Sequence, residues 1–150
     1  MKNKIPNNLF TLEMANNHMG DIEHGIHLIK TFGDICKKYP FSFALKLQYR
    51  ALDTFIHPEM KGRDDVKYVK RFSETRLSTA DLNKLIDEVR NQGFLAMSTP
   101  FDEESVDLIE EQNLDIIKIA SCSFTDWSLL ERVVQNDKPI IASTAGASID

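Results

Sequence analysis

Two lysines stand inside apolar runs where packing gives no reason for a charge. Lys118 interrupts residues 115–125, which read Asp-Ile-Ile-Lys-Ile-Ala-Ser-Cys-Ser-Phe-Thr, and Lys46 interrupts the run that ends at Tyr49. An ammonium taken out of water needs an anion or a good set of acceptors to offset its desolvation. The residues that could share a site with them are Glu13, flanked by Leu12 and Met14, the loop residues Asn16, Asn17 and His18, and Gln48. Hydroxyls follow at the ends of later apolar runs, in Thr99, Ser121, Ser123, Ser143 and Thr144. Lysine supplies a point charge for phosphate or carboxylate, and hydroxyl and amide donors orient the oxygens. Such a set suits a small anion.

Each of these residues also has a plainer use. A single strand lysine could snorkel at a sheet end, a lone serine or threonine is often a cap or turn residue, and Glu13 could simply pair with a lysine. His24, His27 and His57 read as surface residues, and Trp127, Leu129 and Leu130 as core or helix-packing residues. Two lysines in equivalent positions favour the site.

The elements that must position these residues alternate. Residues 9–16 form a first strand candidate, and Asp21 can cap a helix with Ile22, Ile26, Ile29, Phe32 and Cys36 at helical spacing. In residues 41–49 alternation puts Ala44, Lys46 and Gln48 on one face and Phe43, Leu45 and Leu47 on the other. Residues 50–75 read as a long charged connection with at most a short helix at 66–72; loops of this length are usually functional. Ser78 and Asp81 resemble a capping box opening a helix that Gly93 ends. A third strand spans 94–99, closed by Pro100. Asp102 caps a helix to about Gln112, a fourth strand covers 115–121, Asp126 caps a further helix, a fifth strand covers 139–143, and Ser148 can cap the next helix.

Strands separated by such long, helical connections imply a parallel sheet. Spacing leaves open a doubly wound sheet and a (β/α)8 barrel, of which about half would be present. In both, ligands sit beyond the carboxyl ends of the strands.

Composition limits the function. With 42% hydrophobic and 27% charged residues the chain is that of an ordinary soluble globular protein. A net charge of -5 and the lack of any Lys/Arg run argue against nucleic acid and anionic membrane as partners. There is no 20-residue apolar span and no secretory leader pattern, and Cys36 and Cys122 read as reduced thiols, so a cytoplasmic protein is expected. The absence of a glycine-rich phosphate loop, a Gly-x-Ser-x-Gly elbow, a His-Glu-x-x-His pair and a Cys-x-x-Cys speaks against a nucleoside triphosphatase, a serine hydrolase and a zinc enzyme.

Five segments together, Glu13-Met-Ala-Asn-Asn-His-Met-Gly20, Lys46-Leu-Gln48, Ser98-Thr-Pro-Phe-Asp102, Lys118-Ile-Ala-Ser121 and Ser143-Thr-Ala-Gly146, resemble the N-terminal barrel of the sialic acid synthase (N-acetylneuraminate synthase) family. The resemblance covers nearly the whole chain. It implies a (β/α)8 TIM-type barrel of which about the first five strands are present, residues 1–150 being the N-terminal part of one synthase domain.

It also implies condensation of phosphoenolpyruvate with an N-acyl amino sugar such as N-acetylmannosamine, giving a nine-carbon 2-keto acid and phosphate for sialic-acid-type or surface polysaccharide biosynthesis. By motif position Lys46, Thr99, Lys118, Ser121 and Ser143 would hold phosphoenolpyruvate, Gln48 would face the sugar, and Glu13 would lie near the reacting carbons. Asn17, His18 and Ser123 complete the substrate-binding set. A divalent ion, manganese or magnesium, is implied as Lewis acid, with ligands outside this chain. Where the sialic acid synthases usually have Ser-Gly-Glu, this chain has Ser121-Cys122-Ser123, so a hydroxyl replaces a carboxylate expected to hold the sugar.

Other classes that fit the same residues are a non-catalytic anion-binding barrel and another phosphoenolpyruvate-condensing aldolase-type enzyme. The latter would call for an arginine pair for a second phosphate. The open strand edges of a half-barrel predict a homo-oligomer or a longer native chain, and these residues alone should be inactive.

Overall fold

The computed structural model describes residues 4–146 and 148. Its strands are β1 (Leu9–Ala15), β2 (Ser42–Tyr49), β3 (Leu95–Pro100), β4 (Ile116–Ile119) and β5 (Ile140–Ala142). The helices between them are α1 (Ile22–Cys36), α2 (Leu52–Phe55), α3 (Lys67–Glu74), α4 (Thr79–Asn91), α5 (Glu103–Glu111) and α6 (Trp127–Val134). The strands pair in parallel and in chain order, β1-β2-β3-β4-β5. A doubly wound sheet must reverse its strand order at a switch point. This one never does, so it is the five-strand start of a (β/α)8-type barrel.

The helix starts follow local chemistry. Asp21 accepts from the Glu23 and His24 amides, Asp102 from Ser105 at 2.7 Å, and Asp126 from Leu129. Ser78 accepts from the Asp81 amide at 3.1 Å, but its hydroxyl donates to the Asp81 carboxylate. Aspartate thus answers the cap side chain to side chain, one carbon short of the glutamate of a full capping box.

One core fills the space between helices and sheet. Ile29 of α1, Leu85, Ile86 and Val89 of α4, Val106 and Ile109 of α5, and Leu129 and Val133 of α6 pack with Leu45, Leu47, Tyr49, Ala96, Ile117 and Ile119. The opposite sheet face carries a small cluster of Ala44, Met97 and Ile116 with Leu9, Leu95 and Ile141 against it. That cluster plugs the lower barrel interior, and the polar residues stand above it.

Several expectations change. Residues 50–75 hold α2, a 3-10 turn at Pro58–Met60 and α3 rather than a single short helix. Pro100 is the last residue of β3, opposite Tyr49, and does not lie beyond the strand; the next amide, of Phe101, donates to the Tyr49 carbonyl. β4 is only four residues long and gives way to a 3-10 turn at Ser121–Ser123. Trp127 is 72% exposed and does not pack in the core. The helix expected after Ser148 lies outside the described residues.

Candidate active site

Alternation along the strands turns Glu13, Lys46, Gln48, Met97, Thr99 and Lys118 toward the barrel interior. The register sets Glu13 beside Lys46, Lys46 beside Met97, Gln48 beside Thr99, and Lys118 beside Ile141. Lys46, only 14% exposed, forms an ion pair with the half-exposed Glu13. Lys118 donates to the Ser143 hydroxyl at 2.6 Å and to the Ile119 carbonyl at 2.7 Å. Burial lowers the Lys118 pKa, and the Lys46 ammonium lowers it further; the Glu13 carboxylate and the Cys122 thiol oppose this. Two ammoniums share this pocket with one carboxylate. A bound oxyanion would relieve their repulsion.

The remaining predicted residues surround this pair at different depths. Thr99 is buried at the end of β3. Ser121 is exposed on the 3-10 turn, whereas Ser123 is buried, its hydroxyl 3.9 Å from the Cys122 sulfur. Asn17 is exposed in the β1–α1 loop. The His18 ring is buried, and its Nδ1 accepts from the Gly20 amide at 3.1 Å. Burial, and secondarily His24, lowers the His18 pKa, which favours the neutral ring. Gly20 is required here: its φ is +76°, and a Cβ there would collide with the Glu74 carbonyl oxygen of α3.

Among the described residues no group of three or more His, Cys, Asp and Glu side chains could hold a metal ion. Glu13 is engaged by Lys46 and the His18 Nδ1 by Gly20. The described residues therefore do not by themselves make a divalent-metal site.

A residue the sequence did not single out is Arg50, immediately after β2. Its guanidinium lies between the rings of Phe72 and Phe101, 4.3 and 3.7 Å from their centroids, and donates to Gln48 Oε1 at 3.2 Å. It lines a cavity of about 280 Å³ together with Asn16, His18, Gln48, Phe72 and Arg76. This cavity shares Asn16, His18 and Gln48 with the predicted set and lies to one side of the two lysines. The available signal was an arginine directly after a strand of site residues, followed by a connection carrying aromatics.

Comparison with known proteins shows the family and the fold. Residues 42–150 match the model of the NeuB family. The N,N'-diacetyllegionaminic acid synthase of Campylobacter jejuni is 28% identical over 145 residues, 94% of this chain and 43% of that protein. The crystal structure of a spore coat polysaccharide biosynthesis protein E from Chromobacterium violaceum superposes with a TM-score of 0.90 at 63% identity, covering 93% of this chain and 42% of that one. The N-acetylneuraminic acid synthetase of Leptospira borgpetersenii shares the fold, with a TM-score of 0.76 at 24% identity over 97% of this chain and 47% of that one. This chain spans less than half the length of each.

Proposed function

The chain belongs to the NeuB family, and from that premise we propose that it supplies the phosphoenolpyruvate-binding part of a sialic-acid-type synthase. The reaction is condensation of phosphoenolpyruvate with an N-acyl amino sugar. C3 of the enol attacks the sugar aldehyde, water adds at C2, and phosphate departs to leave a nine-carbon 2-keto acid. The observation that carries the reading is the pair of inward ammoniums, Lys46 and Lys118, with the Ser143 hydroxyl already bonded to the second. Phosphoenolpyruvate carries about three negative charges, and an acidic chain must concentrate its cations to hold it.

In this reading Lys46, Thr99, Lys118, Ser121 and Ser143 bind phosphoenolpyruvate and favour charge developing on the departing phosphate. Gln48, Asn17, His18 and Ser123 face the sugar, and Glu13 lies near the reacting carbons. A divalent ion would take its ligands from outside this chain. The protein is read as a cytoplasmic homo-oligomer; no helix among the described residues is long and apolar enough to cross a membrane.

The test is phosphate release by the full-length protein given phosphoenolpyruvate, manganese and a panel of N-acyl hexosamines. Release with at least one sugar is expected, and none with any sugar sinks the proposal. The buried Ser123 hydroxyl, where the sialic acid synthases carry a carboxylate, favours a second reading as an anion-binding barrel without sugar chemistry. Calorimetric binding of phosphoenolpyruvate with no turnover across the panel would select that reading.

A further inference from the structure

We propose that Arg50 recognises an oxyanion, carboxylate or phosphate, carried by the second substrate at the end remote from its reacting carbonyl. This deepens the synthase reading and rests on it. The guanidinium packs over the rings of Phe72 and Phe101, which leaves its N–H edges as the places to receive a ligand. Of its donors, Nη1 alone is used, toward Gln48. Nε is buried without a partner, and Nη2 bonds to no described residue. Nε and Nη2 together form the side-on edge that grips a planar oxyanion through two parallel bonds. Arg63 of this same chain uses that edge for Asp65, at 2.7 and 2.6 Å.

No carboxylate among the described residues fills the place. Among the described residues Arg50 makes no ion pair. Asp102, the carboxylate whose charge it feels, already accepts from the Ala51 and Ser105 amides. Arg76, the other arginine lining the cavity, is held by both oxygens of Asp53. Burial lowers the Arg50 pKa to about 10, and the nearby Arg71 charge acts in the same direction. An arriving anion would oppose both influences electrostatically.

Position identifies the occupant. Arg50 follows Lys46 by four residues, up to about 13 Å along extended chain, and its Gln48 partner stands between them. A sugar whose aldehyde meets phosphoenolpyruvate near Lys46 would direct its far end toward Arg50 and the 280 Å³ cavity.

The experiment is calorimetry on the full-length protein saturated with phosphoenolpyruvate, in chelator to prevent turnover. The titrants are N-acetylmannosamine, its 6-phosphate and N-acetylmannosaminuronate. At least one anionic sugar should bind tighter than the neutral one, and Arg50→Gln should remove roughly tenfold to hundredfold of that affinity while lowering affinity for the neutral sugar by much less. Whichever anionic sugar gains tells carboxylate from phosphate. Arg50→Lys, which keeps the charge and lacks the side-on edge, should lose most of the preference and decides the matter if Arg50→Gln fails to fold. Equal affinities for all three sugars, no binding of an anionic sugar, an unaltered preference in both variants, or a loss confined to phosphoenolpyruvate overturns the proposal. Phosphate release measured separately with manganese judges the synthase reading: no release alongside an Arg50-dependent anion preference would remove the synthase and leave the subsite.

Discussion

Replacing Lys118 by methionine should separate ligand binding from stability. Methionine keeps the unbranched stem, one atom shorter, and carries no charge. An ammonium about 4 Å from one anionic charge, at an effective dielectric constant of about 20, contributes about 4 kcal/mol, and a charge-assisted hydrogen bond about 1.5–3 kcal/mol. These two descriptions overlap, so a loss of about 3–4 kcal/mol is expected, or roughly a hundredfold to a thousandfold in the dissociation constant for phosphoenolpyruvate.

Folding should respond differently. The variant gives up the bonds to Ser143 and Ile119, but it also removes a partly buried charge that Lys46 repels. Stability should therefore stay within about 1 kcal/mol, or within about 4 °C in Tm.

The pH dependence has a definite sign. The Lys118 pKa is lowered in the folded chain, so the wild-type protein should begin to lose phosphoenolpyruvate affinity at a pH below the ordinary lysine range. Above the unfolded pKa the group is neutral in both states. As pH falls from the unfolded pKa to the lowered folded value, the unfolded chain takes up the proton first and the fold is penalised. The penalty is constant below the folded value, so the variant gains stability relative to wild type toward neutral pH. Calorimetry and thermal unfolding across pH measure both effects. Undiminished affinity, or a loss of several kcal/mol in stability, would refute the assignment and make Lys118 a structural anchor.

Glu13→Gln removes the counter-charge from Lys46; phosphoenolpyruvate should bind several-fold tighter while phosphate release falls by about a hundredfold or more, and unchanged turnover would leave Glu13 an ion-pair partner only. Asp102→Ala removes the α5 cap and the bond to the Ala51 amide together, which should cost about 2–4 kcal/mol in urea unfolding at unchanged m-value; Asp102→Asn should cost less. Gly20→Ala forces a side chain against the Glu74 carbonyl at positive φ and should destabilise by about 2–4 kcal/mol, with a wild-type melting curve counting against the close contact.

What the sequence revealed was local. Asp21, Ser78, Asp102 and Asp126 could be read as caps because a cap bonds amides two or three residues away. Lys46 and Lys118 could be read because they break apolar alternation. Trp127 misled because it is apolar and begins a helix with an apolar stripe. It precedes Leu129 by two positions, about 200° around the axis, which turns it away from the face that Leu129 and Val133 bury. Arg50 was invisible for the opposite reason: its meaning depends on Phe72 and Phe101, which only the folded chain brings together. Winding direction was equally hidden, since strand spacing is the same whether crossovers stay on one side of the sheet or change sides.

That winding is what makes the lysines usable. With every crossover on one side, the helices cover only the sheet face bearing Leu45, Leu47 and Ile117. A doubly wound sheet would bury its other face under helices as well, and Lys46 and Lys118 would then face apolar side chains. Here they face the barrel interior, one alternation step above Ala44 and Ile116 of the lower plug. Shifting either lysine by one position would move it into the helix-packed core; shifting it back by two would sink it into the plug. The anion site thus depends on the phase of two charges relative to the β2 and β4 pleat, which an overall charge of -5 does not reveal.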